Sequence, residues 1–135
     1  MKTAYSQDEL DRAKEAALKV MYRIWFLAYA ESKNLLPVTD ERYRPISLQA
    51  IRGMIDSYEQ DPRGEDCWCD LLRLFEGVRN GSPEHNLPQY NGNLFATLPS
   101  IDNTSVKNRF IAPVLKDLLE PVSYTHLTLP TTPYV

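Results

Sequence analysis

Two groups of residues in this sequence are of types that can do chemistry. Cys67-Trp68-Cys69, with His85 further along, offers thiolates and an imidazole, the ligands that zinc favours. Arg42, Tyr43 and Arg44 in a Pro-flanked loop, with Arg52 one turn into the helix that follows, offer guanidinium forks that match phosphate. The cysteines fail on geometry. On a helix, residues two apart point about 200° away from each other, so the two thiols cannot easily grip one ion. Cys67 and Cys69 are therefore read as packing residues, and no metal site is expected. Asp40 and Glu41 weaken the field around the arginines, so a solvated or salt-bridged loop is the favoured reading. Contact with DNA phosphate is kept as the candidate role of Arg42, Arg44 and Arg52. The glycines (Gly53, Gly64, Gly77, Gly81, Gly92) are dispersed and form no nucleotide cradle. No strand-turn-helix elbow frames a Ser, so a hydrolytic triad is not supported.

The elements that must position these residues are helical. Ser6-Gln-Asp-Glu9 reads as a capping box opening a helix from about Asp8 to Ser32. Leu10, Ala13, Ala17, Val20, Met21, Ile24, Leu27 and Ala28 recur along it at spacings of three and four. Its second half (Ile24, Trp25, Phe26, Leu27, Tyr29) is apolar nearly all round, which predicts burial on several sides. Asn34-Leu-Leu-Pro37 ends it. Thr39 to Pro45 reads as a polar connection, and Ser47 caps a second helix carrying Leu48, Ile51, Met54 and Ile55. That helix ends before the turn Asp61-Pro-Arg-Gly64. A third helix is predicted from about Glu65 to Asn80, with Gly81 as a left-handed cap, and a fourth from about Ala112 to Glu120, with Pro113 in its first turn. Ser82 to Ser100 holds three Pro and one Gly and reads as irregular. The fold class expected is mainly α, with three to four helices, a long N-terminal helix and a Pro-rich irregular loop.

At 135 residues and 15.5 kDa the chain holds one small unit or part of a larger one. A net charge of -3 removes the strongly basic signature of a nucleic-acid binder, so any DNA contact must be local. No stretch approaches the roughly 20 apolar residues of a membrane span, and no signal peptide is legible, so no membrane association and a cytoplasmic location are expected. The last fifteen residues differ from the rest. All 15 Lys and Arg and all 18 Asp and Glu lie at or before Glu120, while four of the eight Thr fall in Val122 to Val135. Val122 to Thr131 is also what the codons GTC TCT TAT ACA CAT CTG ACG CTG CCG ACG of a sequencing-library transposase adapter translate to. Residues 121–135 are accordingly read as a non-native tail and residues 1–120 as a fragment of a longer coding sequence.

Four segments carry a resemblance to a family. Tyr22-Arg-Ile-Trp-Phe-Leu-Ala-Tyr-Ala-Glu-Ser-Lys-Asn-Leu-Leu-Pro37 resembles the "YR, apolar residues, LYAE, three polar residues, LLP" helix and turn of large bacterial restriction-modification methyltransferases of the type IIG kind. Tyr43-Arg-Pro-Ile-Ser-Leu-Gln-Ala-Ile-Arg52 is similar to their "YR-x-x-SL-x-x-(I/L)R" segment, and Leu71-Leu-Arg-Leu-Phe75 to the next helix. Pro88-Gln-Tyr-Asn-Gly-Asn-Leu-Phe95 resembles "P-x-YNGGLF", with Asn93 in place of the second Gly. The matches come in order and span roughly Leu18 to Leu119.

The resemblance implies a parent enzyme that methylates adenine N6 in DNA from S-adenosylmethionine, possibly with a fused endonuclease using Mg. It places this segment upstream of the catalytic core, as a helical connector between nuclease and methyltransferase domains, which would be its partners together with DNA. No cofactor is expected in the fragment itself. Asn86-Leu-Pro-Gln-Tyr90 has the residue types of the family's Asn-Pro-Pro-aromatic methylation motif at the wrong spacing and is read as a loop. Glu31-Ser-Lys33 matches the Glu-x-Lys of the nuclease motif without its Pro-Asp partner and is read as a solvated helix terminus. Tyr90, Asn91, Gly92, Leu94 and Phe95 form the family-motif loop, read as a turn pinned to the core by its aromatics. The competing reading is a free-standing helical module that docks a partner through Trp25, Phe26 and Tyr29.

Overall fold

Ser6 opens the first helix as its residue types require. Its Oγ accepts the Glu9 N–H at 3.1 Å, and the Glu9 carboxylate accepts the Ser6 N–H at 2.9 Å. The computed structural model describes residues 6–90 and 93–119 of the chain. Helix α1 runs Gln7–Ser32, about 39 Å at the helical rise. It ends in a reciprocal pair of backbone bonds, Leu35 N–H to Ala30 O at 2.8 Å and Asn34 N–H to Glu31 O at 3.2 Å. Asn34 stands at φ 59°, the left-handed position that such a cap requires.

The connection after Pro37 closes in a short 3-10 turn at Arg44–Ile46 and leads to α2, Leu48–Gly53, with Ser47 Oγ accepting the Ala50 N–H at 3.1 Å. The single second helix expected from the sequence is divided. Its ladder breaks at Met54 and resumes as α3, Ile55–Gln60. The break falls beside Gly53, the weakest helix former in the run. Leu48, Ile51, Ile55 and Tyr58 are nevertheless all buried along one side.

Helix α4, Asp66–Asn80, is the pillar of the core and buries Cys67, Trp68, Leu71, Leu74, Phe75 and Val78. Gly81 ends it with φ 79°, as a glycine cap should, but with ψ 157°, extended rather than left-handed helical. Ser82 and Leu87 form an isolated bridge, the only strand-like pairing among the described residues. The irregular segment also holds a 3-10 turn at Pro83–His85 and the one-turn helix α5, Pro99–Asp102. Helix α6, Asn108–Leu118, starts four residues earlier than its expected start at Ala112, so Pro113 sits inside it rather than in its first turn.

The earlier start has a cause. Buried Asn108 donates through Nδ2 to Asp61 O at 2.9 Å and accepts the Cys67 N–H at 3.1 Å, while its own N–H bonds Gly64 O at 2.8 Å. One side chain thereby joins the 61–64 turn, the start of α4 and the start of α6. Helix α6 packs on α3 and α4, and α1 packs on α2 and α5 around one hydrophobic cluster.

Candidate functional site

The residues that organise this molecule are two buried charges on α1, eight positions apart. Glu31, 3% exposed, lies one residue before the end of α1. Its carboxylate accepts the Tyr43 hydroxyl, the Leu48 N–H at 2.7 Å and the Gln49 N–H at 3.2 Å. A helix N-terminus presents amides without intrahelical partners and a partial positive charge. Glu31 takes the first two of these in α2, and Ser47 takes the third. The expectation of a solvated terminus at Glu31-Ser-Lys33 is therefore corrected: the carboxylate is a cap supplied from the far side of a fifteen-residue connection. Burial pushes the Glu31 carboxyl up, and its three donors pull the other way. Burial and the neighbouring carboxylate hold the Tyr43 phenol far above its ordinary range, so it stays a donor.

Arg23 is fully buried. Its Nε donates to Leu94 O at 2.7 Å and its Nη2 to Ala96 O at 2.8 Å. The guanidinium lies 5.0 Å from the Phe75 ring centre and 5.5 Å from that of Phe95. A cation removed from water needs such compensation. Burial lowers the Arg23 pKa, and Asp102 offsets part of that. Arg79 adds a second guanidinium, reaching Phe95 O at 3.4 Å and pairing with Asp102 at 3.5 Å, and Asp102 accepts the Leu98 N–H at 2.7 Å. Three successive carbonyls, 94 to 96, are thus held by arginines.

The loop from Tyr90 to Phe95 is bound to the core at both ends of its described part. Phe95 is buried edge-on between Phe26 at 5.8 Å and Phe75 at 5.9 Å, and Leu94 packs half-buried against the core. Tyr90 donates its hydroxyl to Leu35 O at 3.0 Å and its N–H to Val78 O at 3.1 Å. Asn91 and Gly92 lie outside the described residues.

The three candidate phosphate contacts differ in their local partners. Arg42 forks onto Asp40, with bonds of 3.2 and 3.0 Å, and Asp40 also accepts the Arg42 N–H and the Asn86 side-chain amide. These donors hold the Asp40 carboxyl down at about 2. Arg44 donates to Thr39 O at 3.0 Å. Arg52 borders a shallow depression with Ala28, Ser32 and Leu119. Cys67 is buried and its thiol pushed up to about 12, whereas Cys69 is exposed, which corrects its reading as a packing residue. Among the described residues no group of three or more His, Cys, Asp or Glu is placed to hold a metal, and no helix is long and apolar enough to cross a membrane.

Sequence reasoning missed Arg23 and Glu31 as organising residues, although Arg23 left a signal as the lone cation in the apolar run Val20 to Ala30. Their bonds pair the resembling segments with one another. The Arg of the first segment holds the Leu94-Phe95 end of the fourth, and its Glu holds Tyr43 and Leu48 of the second. What this arrangement does is fix backbone against backbone. No family model matches the chain, and no curated protein and no solved structure matches it either.

Proposed function

We propose that this chain is the helical spacer of a bacterial restriction-modification enzyme. In that reading it joins a nuclease domain to an S-adenosylmethionine-dependent, adenine-specific DNA methyltransferase and sets the distance between them. The observation that carries the reading is that Arg23 and Glu31, both in one resembling segment, bond residues of two others. Residues that share a motif pattern and meet in space behave as one mechanical unit, and a spacer needs rigidity rather than chemistry. The exposed row Leu18, Tyr22, Trp25 and Tyr29 on the outer side of α1 supports it, because a connector must offer apolar surface to the domains it holds. Of the three candidate arginines only Arg42 is ion-paired among the described residues, which leaves Arg44 and Arg52 as the proposed phosphate contacts.

Sequencing the native locus through the Glu120 codon tests this. The spacer reading expects an open frame that continues into a glycine-rich strand turn and then an Asn-Pro-Pro-aromatic motif. A stop codon soon after Glu120 in genomic DNA would favour the second reading, a small helical module that docks a partner through Trp25 and Tyr29, which are 44% and 57% exposed.

A further inference from the structure

The outer row of α1 has the spacing of a helix-pairing seam. Leu18, Tyr22, Trp25 and Tyr29, all exposed, follow one another at steps of four, three and four, the repeat by which two helices keep one seam facing each other. They lie on the side of the helix opposite Val20 and Leu27, which are buried in the core. Tyr22 and Trp25 stand ring beside ring at 6.1 Å in the middle of the row. Charges on this same face are ordered along it. Asp11 continues the row toward the start of the helix, and Glu15 lies about 50° to one side of it at 100° per residue. Lys33 ends the row, about 50° to that same side, with its ammonium 5.9 Å from the ring centre of Tyr29. Lys14 is the one other charge of the helix within about 60° of the row, and it lies on the opposite flank.

We propose that a second copy of this chain covers the row, its α1 laid antiparallel along the first about a two-fold axis that passes between Tyr22 and Trp25. Register and charge select that occupant together. The row is centred midway between Tyr22 and Trp25, so antiparallel pairing sets each Tyr22 against the partner's Trp25 and each Leu18 against the partner's Tyr29, the reciprocal contact that a two-fold requires. The same register brings Glu15 of each chain level with the partner's Lys33 and on the same flank, so opposite charges meet twice, while Lys14 comes level with the neutral Ser32. Parallel pairing would set Glu15 on Glu15 and Lys33 on Lys33 and align the two helix dipoles. The apolar row and the charges that flank it share one centre of symmetry to within a residue, which a surface made for an unrelated partner does not require. The inference names the occupant of the row that both readings above leave to a partner and rests on neither. Under the spacer reading it joins two parent enzymes back to back through their spacers.

Light scattering behind gel filtration on the 135-residue chain, from about 1 to 100 μM, tests it. The expected result is a dimer mass. Trp25→Ser, at an exposed position, should weaken self-association by at least about tenfold while leaving the helical circular dichroism and thermal melt unchanged. E15K and K33E should each weaken the dimer, because each sets like charges together at both crossings, and mixing the two variants should restore association as a heterodimer. A wild-type monomer throughout, a dimer indifferent to Trp25→Ser, or a mixture of E15K and K33E that stays monomeric would overturn the proposal. So would a dimer lost on Ala17→Arg but kept on Trp25→Ser, which would move the contact to the apolar groove that α1 forms with α6. None of these outcomes depends on the reading frame beyond Glu120, which tests the spacer reading separately.

Discussion

Glu31 is a carboxylate whose burial and whose hydrogen bonds oppose each other, and its pH response separates the two. Its folded pKa is raised, so the folded state binds a proton more readily than the unfolded chain, and its contribution to stability grows as pH falls through the folded value toward the ordinary 4.5. Glu31→Gln removes this response and leaves one of the three donors without a good acceptor, at a cost of about 1 kcal/mol near neutrality. Urea unfolding from pH 7 to 4 should therefore show the wild type gaining on the variant as pH falls. A gap that shrinks on acidification would mean that the donors, not burial, govern this carboxyl. None of this was legible in the sequence. Tyr43 and Leu48 lie twelve and seventeen residues away across a polar connection, and Glu-x-Lys at a helix end has the same local pattern whether the carboxylate faces water or an amide pair. Arg23 differs in that its neighbours in sequence declared an anomaly, though not the carbonyls that answer it, which are more than seventy residues on.

At the scale of elements, the long segments followed from local rules. The capping box, the Asn34 terminus and the stripe of α4 each depend on residues a few positions apart, and each forms where expected. The division into α2 and α3 and the early start of α6 depended on a weak point beside Gly53 and on the side-chain bonds of Asn108, which local spacing does not reveal. Gly81 makes a prediction at this scale. It combines φ 79° with a site where a Cβ would lie 3.0 Å from the Gln89 nitrogen, backbone that cannot swing aside. Gly81→Ala should lower stability by about 1–2 kcal/mol and shift the urea midpoint accordingly. An unchanged midpoint would show that the 82–90 segment yields freely. The connection between α1 and α2 makes another. Asp40 ties Arg42 and Asn86 with its carboxyl held at about 2, so its contribution is present above the ordinary 3.8 and lost as pH falls through about 2. Thermal melts from pH 5 to 2 should show the wild type losing more than Asp40→Asn, and parallel curves would remove Asp40 from the account.

At the scale of the molecule, the helices close one core while α1 keeps apolar surface on two sides, the groove beside α6 and the outer row from Leu18 to Tyr29. Expected burial around Trp25, Phe26 and Tyr29 is met on one side only: Phe26 touches Phe95, while Trp25 and Tyr29 face outward. The candidate phosphate-binding arginines were legible as residue types, but their local pairing was not, because Asp40 is as much a partner for Arg42 as a repellent for phosphate. What unifies the molecule is the use of α1 as a rigid bar to which α2 and the 94–96 loop are fastened by buried charge. Hydrogen exchange on the full chain carrying Arg23→Met tests that claim most directly. The substitution removes two charge-assisted bonds to carbonyls and should cost on the order of 3 kcal/mol. The account predicts that amide protection drops through the 94–102 segment and the middle of α1 while Leu48 and Gln49, held by Glu31, keep theirs. Unchanged protection around Leu94 to Leu98 would contradict it.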